Sequence, residues 1–242
     1  MNLKILLPFL FLSNLLLAQD DRNLPRHFTE EEKVMLEWQR FIQPGSSFGI
    51  PDPPPHPVRH MAEWEELQAL AITWRSYPNI LKEIVRHAKE EVKVFIVCRT
   101  TSEETTIKNT LTSSNITLDN IEFIIADNNS VWVRDYGPQC VYANDVDSLY
   151  FIDWIYNRPA RPKDNVIPDA IGAHMNIPVF STTEAPEDMV NTGGNFMSDG
   201  MGTAFASKLI LEENEPGNQY GTGPLDEAAI DAIAKSYMGI DN

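Results

Sequence analysis

The stretch Trp132-Val133-Arg134-Asp135-Tyr136-Gly137-Pro138 directly follows a predicted strand at 121–126. It places an indole, a guanidinium and a carboxylate on a short turn closed by Gly-Pro, and turns of this kind display binding residues. A carboxylate beside an aromatic face suits a flat cation, because it accepts paired guanidinium hydrogen bonds while the ring covers the plane. The structural alternative is a turn in which Arg134 and Asp135 merely pair or cap, with Trp132 in the core.

Strands and helices alternate on both sides of this turn. The predicted strands are 69–74, 92–98, 121–126, 139–142, 149–155, 178–180, 189–191, 196–198 and 203–207. The predicted helices are 80–89, 102–113 with Ser102 as its cap, 167–175, and 225–237 with Gly239 as its stop. Interleaved elements predict an α/β fold, and the hairpins among the crossovers argue against a purely parallel sheet. Strand–strand–helix–strand units recur, which indicates a propeller-like ring, and Ile240 would open a further strand.

Composition and charge limit the classes of function. The chain has 242 residues, of which 43% are hydrophobic and 22% charged, enough for one sizeable domain or two small ones. Its formal net charge of −16 argues against a nucleic-acid partner, because phosphates require a basic face. The same charge is compatible with a cationic substrate.

The N-terminus has the pattern of a secretory signal peptide over residues 1–18. Lys4 supplies the positive start, residues 5–17 form the apolar run, and Ala18 is the small residue before the proposed cleavage site. The run is shorter than the ~20 apolar residues that span a bilayer. We therefore expect a secreted or periplasmic protein with no membrane contact after cleavage; the alternative is an uncleaved membrane anchor.

A polar, proline-rich arm is predicted over residues 19–60. It contains one candidate helix at 29–41, where Thr29 and Glu32 have the spacing of a capping box. The prolines between 51 and 57 predict an extended segment that wraps the domain. The domain proper is expected over 61–242.

The cysteines and histidines indicate neither a cofactor nor a metal. No spacing supports a bridge between Cys98 and Cys140, so two buried free thiols are expected. His56 and His60 have helical ligand spacing, but Pro57 lies between them in a proline-rich run. Zinc spacings, a phosphate-binding glycine loop and a Gly-x-Ser-x-Gly elbow are absent from the sequence.

Two further loops carry candidate binding residues. In Gly193-Gly194-Asn195 the glycines would permit close backbone approach to a ligand and positive φ, and Asn195 offers an amide; the alternative is a simple lead into a hairpin. Arg158 and Arg161 lie on a loop stiffened by prolines and could hold a carboxylate, although a solvated basic loop is the alternative.

Taken together, the three loops resemble the agmatine deiminase and bacterial (porphyromonad-type) peptidylarginine deiminase family. The resemblance is carried by residues 132–138, by Tyr156-Asn157-Arg158-Pro159 and by Gly193-Gly194-Asn195. Two shorter stretches, Met61-Ala62-Glu63-Trp64-Glu65-Glu66 and Tyr220-Gly221-Thr222-Gly223-Pro224-Leu225, also look like family sequence. The similarity extends from about Met61 to the last residue, Asn242.

The resemblance implies a pentein-type α/β propeller and hydrolysis of a guanidinium to a ureido group with release of ammonia. In such enzymes a cysteine thiolate attacks the guanidinium carbon, a histidine handles the proton, and two carboxylates hold the nitrogens. By the match, Asp135 is the first carboxylate and a catalytic residue, Trp132 packs on the substrate, and Arg134 supports the loop. Gly193, Gly194 and Asn195 would line the pocket, and Arg158 and Arg161 match a loop that meets a peptide's terminal carboxylate, with Ala160 inserted between them.

The sequence departs from the family pattern in its reactive groups. The His-x-Asp pair and the nucleophilic cysteine of the family lie beyond the last residue given, so the ring is expected to be incomplete and the chain inactive by itself. Peptidyl-arginine is the expected substrate, since a secreted enzyme would meet extracellular peptides; agmatine is the alternative. A module that binds guanidinium without catalysis and a purely structural α/β domain are further alternatives.

Overall fold

The computed structural model describes Glu30, Val34 and residues 49–144 and 148–242. The predicted signal peptide at 1–18 lies outside the described residues, as does most of the predicted helix at 29–41. Within that range, Glu30 and Val34 are helical and exposed. Of the arm, Ile50 forms a parallel bridge with Phe180 and Pro51 accepts a hydrogen bond from the hydroxyl of Tyr237, at 2.5 Å.

The described chain contains ten strands and six α-helices, which interleave as predicted. The strands are β1 (Val58–His60), β2 (Ala69–Thr73), β3 (Lys93–Cys98), β4 (Ile121–Ile125), β5 (Gln139–Ala143), β6 (Ser148–Tyr156), β7 (Val179–Thr182), β8 (Val190–Asn191), β9 (Phe196–Ser198) and β10 (Ala204–Ala206). The helices are α1 (Pro78–Ala88), α2 (Thr101–Ser113), α3 (Val133–Tyr136), α4 (Ile167–Met175), α5 (Leu209–Glu213) and α6 (Glu227–Met238). Short 3-10 turns lie at Asp164–Val166 and Gly193–Asn195.

Strands β2, β3 and β4 form a parallel sheet that is buried on both faces. Val94, Ile96 and Cys98 of β3 join a core with α1 and α2, whereas Phe95 and Val97 join a second core with α4. This double burial explains the nearly continuous apolar run of β3, which is typical of parallel sheets covered on both faces. The last strand of the sheet, β4, leads into the loop that carries Asp135.

A mixed sheet with the order β1-β5-β6-β7 continues the fold. β1 and β6 flank β5 antiparallel, β7 runs parallel to β6, and β8 pairs with the end of β6 at Ile155 and Tyr156. Trp154 and Ile152 of β6 pack against a third core that includes Ile230 and Tyr237 of α6. The mixed directions agree with the expectation that the sheet is not purely parallel.

The end of the chain lies beside the hairpin β9–β10. Gly239 ends α6 in the left-handed region at φ 68°, as the sequence predicted for a helix stop. The amide of Ala204 then donates to the carbonyl oxygen of Asn242 at 2.9 Å, and the amide of Asp241 donates to Gly202 at 2.7 Å. The backbone after Gly239 therefore runs along the hairpin, where a further strand was predicted to open.

Several predicted boundaries need correction. The cap of α2 is Thr100, whose side chain accepts from the amide of Glu103, because the helix begins before the predicted Ser102. Helix α6 begins at Glu227 with Asp226 as its cap, not at Leu225, whose side chain is buried in the core. The strand β1 and the helix α5 were not predicted, because three and five residues are too short to show a period.

Candidate functional site

The loop after β4 holds Asp135 on a single helical turn. The predicted short turn is the four-residue helix α3, which Gly137 closes by donating its amide to the carbonyl of Val133 at 2.7 Å. Trp132 precedes the turn, is partly buried, and packs against the core that includes Tyr136 and Tyr156. Part of the Trp132 side chain is therefore committed to packing, and Asp135 on the same turn is itself partly exposed.

Arg134 does not pair with its neighbour Asp135. Its Nη2 donates to the carboxylate of Glu63 and, at 3.1 Å, to the carbonyl oxygen of Phe196 at the start of β9. Arg134 therefore does form an ion pair, as the structural alternative expected, but with Glu63 and not with Asp135. Through its two contacts Arg134 links α3 to β9.

The carboxylate of Asp135 has no ion pair and accepts no hydrogen bond from any side chain or amide in the part of the chain that the structure describes. It lies against Gly194, where an added Cβ would come within 2.6 Å of Oδ1. Gly194 is exposed and Asp135 only partly buried, so the unpaired oxygens border solvent. A partly buried carboxylate with no cation of its own can accept one from a ligand.

Gly193 permits the contact between the two loops. A Cβ at this position would lie 2.1 Å from the carbonyl oxygen of Arg134, so the 3-10 turn and α3 approach each other too closely for any other residue. Neither Gly193 nor Gly194 has a positive φ. The prediction that these glycines serve positive φ is therefore wrong; close backbone contact is their physical role.

The side-chain oxygen of Asn195 accepts hydrogen bonds from the residue that follows the hairpin. Its Oδ1 accepts from the amide of Ser207 at 3.0 Å and from the Ser207 hydroxyl at 2.6 Å. Its Nδ2 is buried and has no hydrogen-bond partner among the described residues. Asn195 therefore fixes the geometry of the hairpin lead-in, and only its amide donor is left for another group.

The arginine loop, residues 157–164, is buried at one arginine and partly open at the other. Arg161 is only 8% exposed and Arg158 is partly buried. Nη1 of Arg158 donates to the carbonyl of Asn157 at 2.9 Å, and Nη1 of Arg161 donates to the hydroxyl of Tyr156 at 3.4 Å. Arg161 is therefore held within the protein, whereas Pro162 and Lys163 of the same loop are exposed.

Tyr156 is influenced electrostatically by both the arginine loop and Asp135. Burial raises the pKa of its phenol; the nearby guanidinium of Arg161 opposes this rise and the carboxylate of Asp135 adds to it. The same hydroxyl therefore lies within electrostatic reach of the acidic and the basic candidate residues. The ring of Tyr156 also meets Tyr136 edge-on, with centroids 5.5 Å apart.

Sequence reasoning missed the buried polar groups behind these loops. Asp164, fully buried, accepts from the amides of Asn129 and Ser130, and Glu213 accepts from Asn157 at 2.7 Å and from Tyr220 at 3.1 Å. Burial raises the pKa of both carboxyl groups. No local pattern marks such residues, because their partners lie between 7 and 56 positions away in sequence.

The two cysteines are free, as expected. Cys98 is buried at the end of β3, and Cys140 is partly buried at the start of β5. Burial raises the pKa of each thiol from 9.0 to about 11. Both are therefore protonated near neutral pH and unsuited to nucleophilic attack.

The described residues contain no group of three or more His, Cys, Asp or Glu side chains arranged to hold a metal ion. Within the same residues, no helix combines the length and the apolar character needed to cross a bilayer.

Comparison with known proteins identifies relatives along most of the chain. The family described as Porphyromonas-type peptidyl-arginine deiminase matches residues 59–242. A provisionally named agmatine deiminase of Mycoplasma capricolum subsp. capricolum is 26% identical over 137 residues, which are 52% of this chain and 34% of that protein.

Solved structures share the fold. Agmatine deiminase of C. jejuni superposes with a TM-score of 0.58 at 23% identity, over 77% of this chain and 54% of that chain. Agmatine deiminase of Enterococcus faecalis gives a TM-score of 0.61 at 20% identity, over 76% of this chain and 51% of that chain. The predicted pentein-type α/β propeller is confirmed, and the chain spans about half the length of these solved neighbours.

Proposed function

The chain belongs to the Porphyromonas-type peptidyl-arginine deiminase family. We propose that it supplies the substrate-binding part of a guanidine deiminase active site. The proposed reaction hydrolyses the guanidinium of peptidyl-arginine to the ureido group of citrulline and releases ammonia through a covalent cysteine intermediate. The attacking thiolate is assigned to neither Cys98 nor Cys140, since burial raises the pKa of both thiols to about 11 and both hold their protons at neutral pH. The role of this chain is to bind and orient the guanidinium.

The unpaired carboxylate of Asp135 is the observation that supports this role. Asp135 borders solvent beside Gly194, while its neighbour Arg134 is occupied by Glu63 and Phe196. A substrate guanidinium can therefore replace water at Asp135 without first breaking an internal ion pair. Two parallel hydrogen bonds to the carboxylate would fix both the position and the plane of the guanidinium.

Orientation matters because a guanidinium resists nucleophilic attack. It stays protonated in proteins, with a pKa above about 12, and its charge is delocalised over three nitrogens. Fixing it against Asp135 converts an encounter with a nucleophile into a step between prepositioned groups, which is worth several powers of ten in rate. Trp132 would cover the plane with the part of its indole that the core leaves open.

The arginine loop supports a peptide substrate. Arg161 donates to the Tyr156 hydroxyl, and the positive charges of Arg161 and Arg158 both lower the pKa of this phenol, which the carboxylate of Asp135 raises. An arginine residue at the end of a peptide carries a guanidinium for Asp135 and a carboxylate for this loop. Agmatine carries a positively charged amine at the end opposite its guanidinium. The arginines of the loop would repel this amine.

Isothermal titration calorimetry tests the binding role. Wild-type protein should bind N-acetyl-arginine, and Asp135→Asn should weaken this binding about 10- to 100-fold, because a hydrogen bond to a charged group contributes ~1.5–3 kcal/mol. Glu122→Gln is the matched control, since it also removes one negative charge but lies near the start of β4, away from the Asp135 loop. Equal affinity for wild type and Asp135→Asn would overturn the proposal.

Agmatine deiminase activity is the second candidate. The solved neighbours named above, and another C. jejuni structure described as having substrate bound, are agmatine deiminases. Titration with agmatine in parallel separates the candidates. Tighter binding of agmatine than of N-acetyl-arginine would favour the second, and the reverse order the first. Binding of either ligand with no turnover in the complete enzyme would instead support a non-catalytic binding module.

Export from the cytoplasm is part of the proposal. It rests on the signal-like pattern of Lys4, residues 5–17 and Ala18, which lies outside the described residues. Expression with the native N-terminus followed by N-terminal sequencing should find a mature protein that begins at Gln19 in the secreted or periplasmic fraction. Retention of Met1 in a membrane fraction would show an uncleaved anchor.

A further inference from the structure

The arginine loop is joined to the Asp135 loop by one buried carboxylate. Asp164, which is 0% exposed, lies at the end of the arginine loop. Its Oδ1 accepts from the amides of Asn129 and Ser130, at 2.7 and 3.0 Å, and its Oδ2 accepts from the Ser130 hydroxyl at 2.6 Å. These partners lie 34 or 35 positions away, on the segment that leads to Trp132 and Asp135.

The hydrogen-bond network continues from Ser130 to the residue beside Asp135. The hydroxyl of Tyr136 donates to the carbonyl oxygen of Ser130 at 2.8 Å and lies 2.8 Å from the hydroxyl of Thr73 on β2. Ser130, Tyr136 and Thr73 are all at most 2% exposed. Hydrogen bonds therefore link Asp164 through Ser130 to Tyr136, the residue that follows Asp135.

The backbone of Asp164 is linked to the two arginines by two consecutive turns. The amide of Asp164 donates to the carbonyl of Arg161 at 3.1 Å, and the amide of Arg161 donates to the carbonyl of Arg158 at 2.8 Å. Two further contacts join the same segments, from the amide of Lys163 to Oδ1 of Asn129 at 2.9 Å and from Nζ of Lys163 to the carboxylate of Asp127 at 2.6 Å. Both are exposed and therefore weaker, so the hydrogen bonds of the Asp164 carboxylate are the buried link between the two loops.

Packing alone does not explain why a carboxylate occupies position 164. A buried carboxyl group is costly unless hydrogen bonds satisfy it, and a neutral side chain would fill the same volume at lower cost. Asp164 accepts three hydrogen bonds from a single two-residue segment, which fixes that segment in both position and orientation. Such an arrangement is suited to setting geometry between two loops.

We propose that Asp164 is a positioning residue that holds the arginine loop at a fixed distance from Asp135. The inference rests on the proposed function, which already assigns the guanidinium to Asp135 and the substrate carboxylate to the arginine loop. What it adds is that recognition of the carboxylate depends on Asp164, a buried residue that touches neither end of the substrate.

Two matched ligands measure this specificity. N-acetyl-arginine and N-acetyl-arginine amide differ only in the carboxylate, so the ratio of their Kd values by calorimetry reports its contribution. We expect wild type to prefer the acid by about tenfold, the effect of one charge-assisted hydrogen bond. Asp164→Ala should bring the ratio close to one, and Asp164→Asn, which keeps the size and one acceptor oxygen, should restore most of it.

Asp188→Ala is the control for a merely structural effect. Asp188 is also a buried carboxylate, 8% exposed, and it accepts a hydrogen bond from the amide of Gly223 at 2.7 Å. Among the described residues, it has no hydrogen bond to either site loop. Asp188→Ala should lower stability in urea and leave the ratio of Kd values unchanged. Circular dichroism shows whether Asp164→Ala folds. If it does not, Ser130→Ala replaces it, because this variant deletes only the hydroxyl that donates to Asp164. Ser130→Ala should then lower the ratio of Kd values.

The possible results distinguish a failure of the proposed function from a failure of the positioning role of Asp164. If wild type binds neither ligand, the proposed function fails and the role of Asp164 fails with it. If wild type binds both equally, or if Asp164→Ala keeps the wild-type ratio while only stability or stoichiometry falls, the positioning role alone is overturned. An equal fall of the ratio in Asp188→Ala would also overturn it.

Discussion

Arg134 pairs with Glu63, 71 positions earlier in the sequence, and not with the adjacent Asp135. The same guanidinium donates to the carbonyl of Phe196, so that α3 and β9 are joined by one side chain. The guanidinium that is adjacent to Asp135 in sequence is thus engaged with other groups. This arrangement accounts for a carboxylate that is partly buried, unpaired within the described chain and open to a cationic ligand.

The two contacts of Arg134 should differ in what they contribute to stability and to ligand binding. The Arg134 and Glu63 side chains are 53% and 55% exposed, so this ion pair contributes at most ~1 kcal/mol and Glu63→Gln should leave both stability and ligand affinity nearly unchanged. Arg134→Ala also removes the bond to Phe196, and should cost about 1 kcal/mol and weaken binding of N-acetyl-arginine. Urea unfolding and calorimetry measure the two effects; identical behaviour of the two variants would contradict this assignment.

The adjacent glycines should have separable roles. A Cβ on Gly193 would meet backbone at 2.1 Å, so Gly193→Ala should destabilise the fold by ~1–3 kcal/mol. A Cβ on Gly194 would meet only the carboxylate of Asp135, at 2.6 Å, which can rotate away. Gly194→Ala should therefore keep its midpoint in urea and lose affinity for N-acetyl-arginine. Loss of stability in Gly194→Ala with unchanged affinity would be the contrary result.

Regular elements were predictable because their signals are local. The helix α4 was predicted with its observed bounds, 167–175, and Gly239 was identified as a helix stop from its type and position alone. The cap of α2 was misplaced, because Thr100 and Ser102 are both capable caps and only the structure decides between them. Three-residue strands such as β1 depend on pairing with β5 and leave no period in the sequence.

The site was predictable in its parts but not in its connections. The sequence pointed to Asp135 and to Gly193-Gly194, yet the contact between them depends on how two sheets pack. Asp164 carries no local signal, since its hydrogen-bond partners lie at least 34 positions away. Burial of Arg161 was likewise hidden, because a basic residue in a proline-rich loop is usually solvated.

Both thiols should be unreactive in the folded protein. With pKa values near 11, Cys98 and Cys140 should not react with Ellman's reagent at pH 8, and both should react after unfolding in urea. Because folding raises their pKa from 9.0, the stability due to the protonated thiols is complete below pH 9 and declines as the pH rises towards 11. Rapid labelling of either cysteine at pH 8 would contradict the buried assignment.

The chain should release no ammonia by itself. The proposal assigns it the groups that bind the guanidinium, and burial raises the pKa of its two thiols to about 11, so both remain protonated at neutral pH. Incubation of the purified 242-residue protein with N-acetyl-arginine, a peptide ending in arginine, or agmatine should therefore leave ammonia and ureido products at background. Turnover that is abolished by Cys98→Ser or Cys140→Ser would refute this, and would assign a nucleophile within the chain.

A crystal structure of the protein with N-acetyl-arginine tests the central claim most directly. The account predicts both guanidinium nitrogens that face Asp135 at about 2.7–2.9 Å from its two carboxylate oxygens, the spacing of a charge-assisted pair. Gly194 should border the ligand, and the Arg134–Glu63 contact should remain intact. A ligand bound elsewhere, with the Asp135 carboxylate still facing solvent, would contradict it.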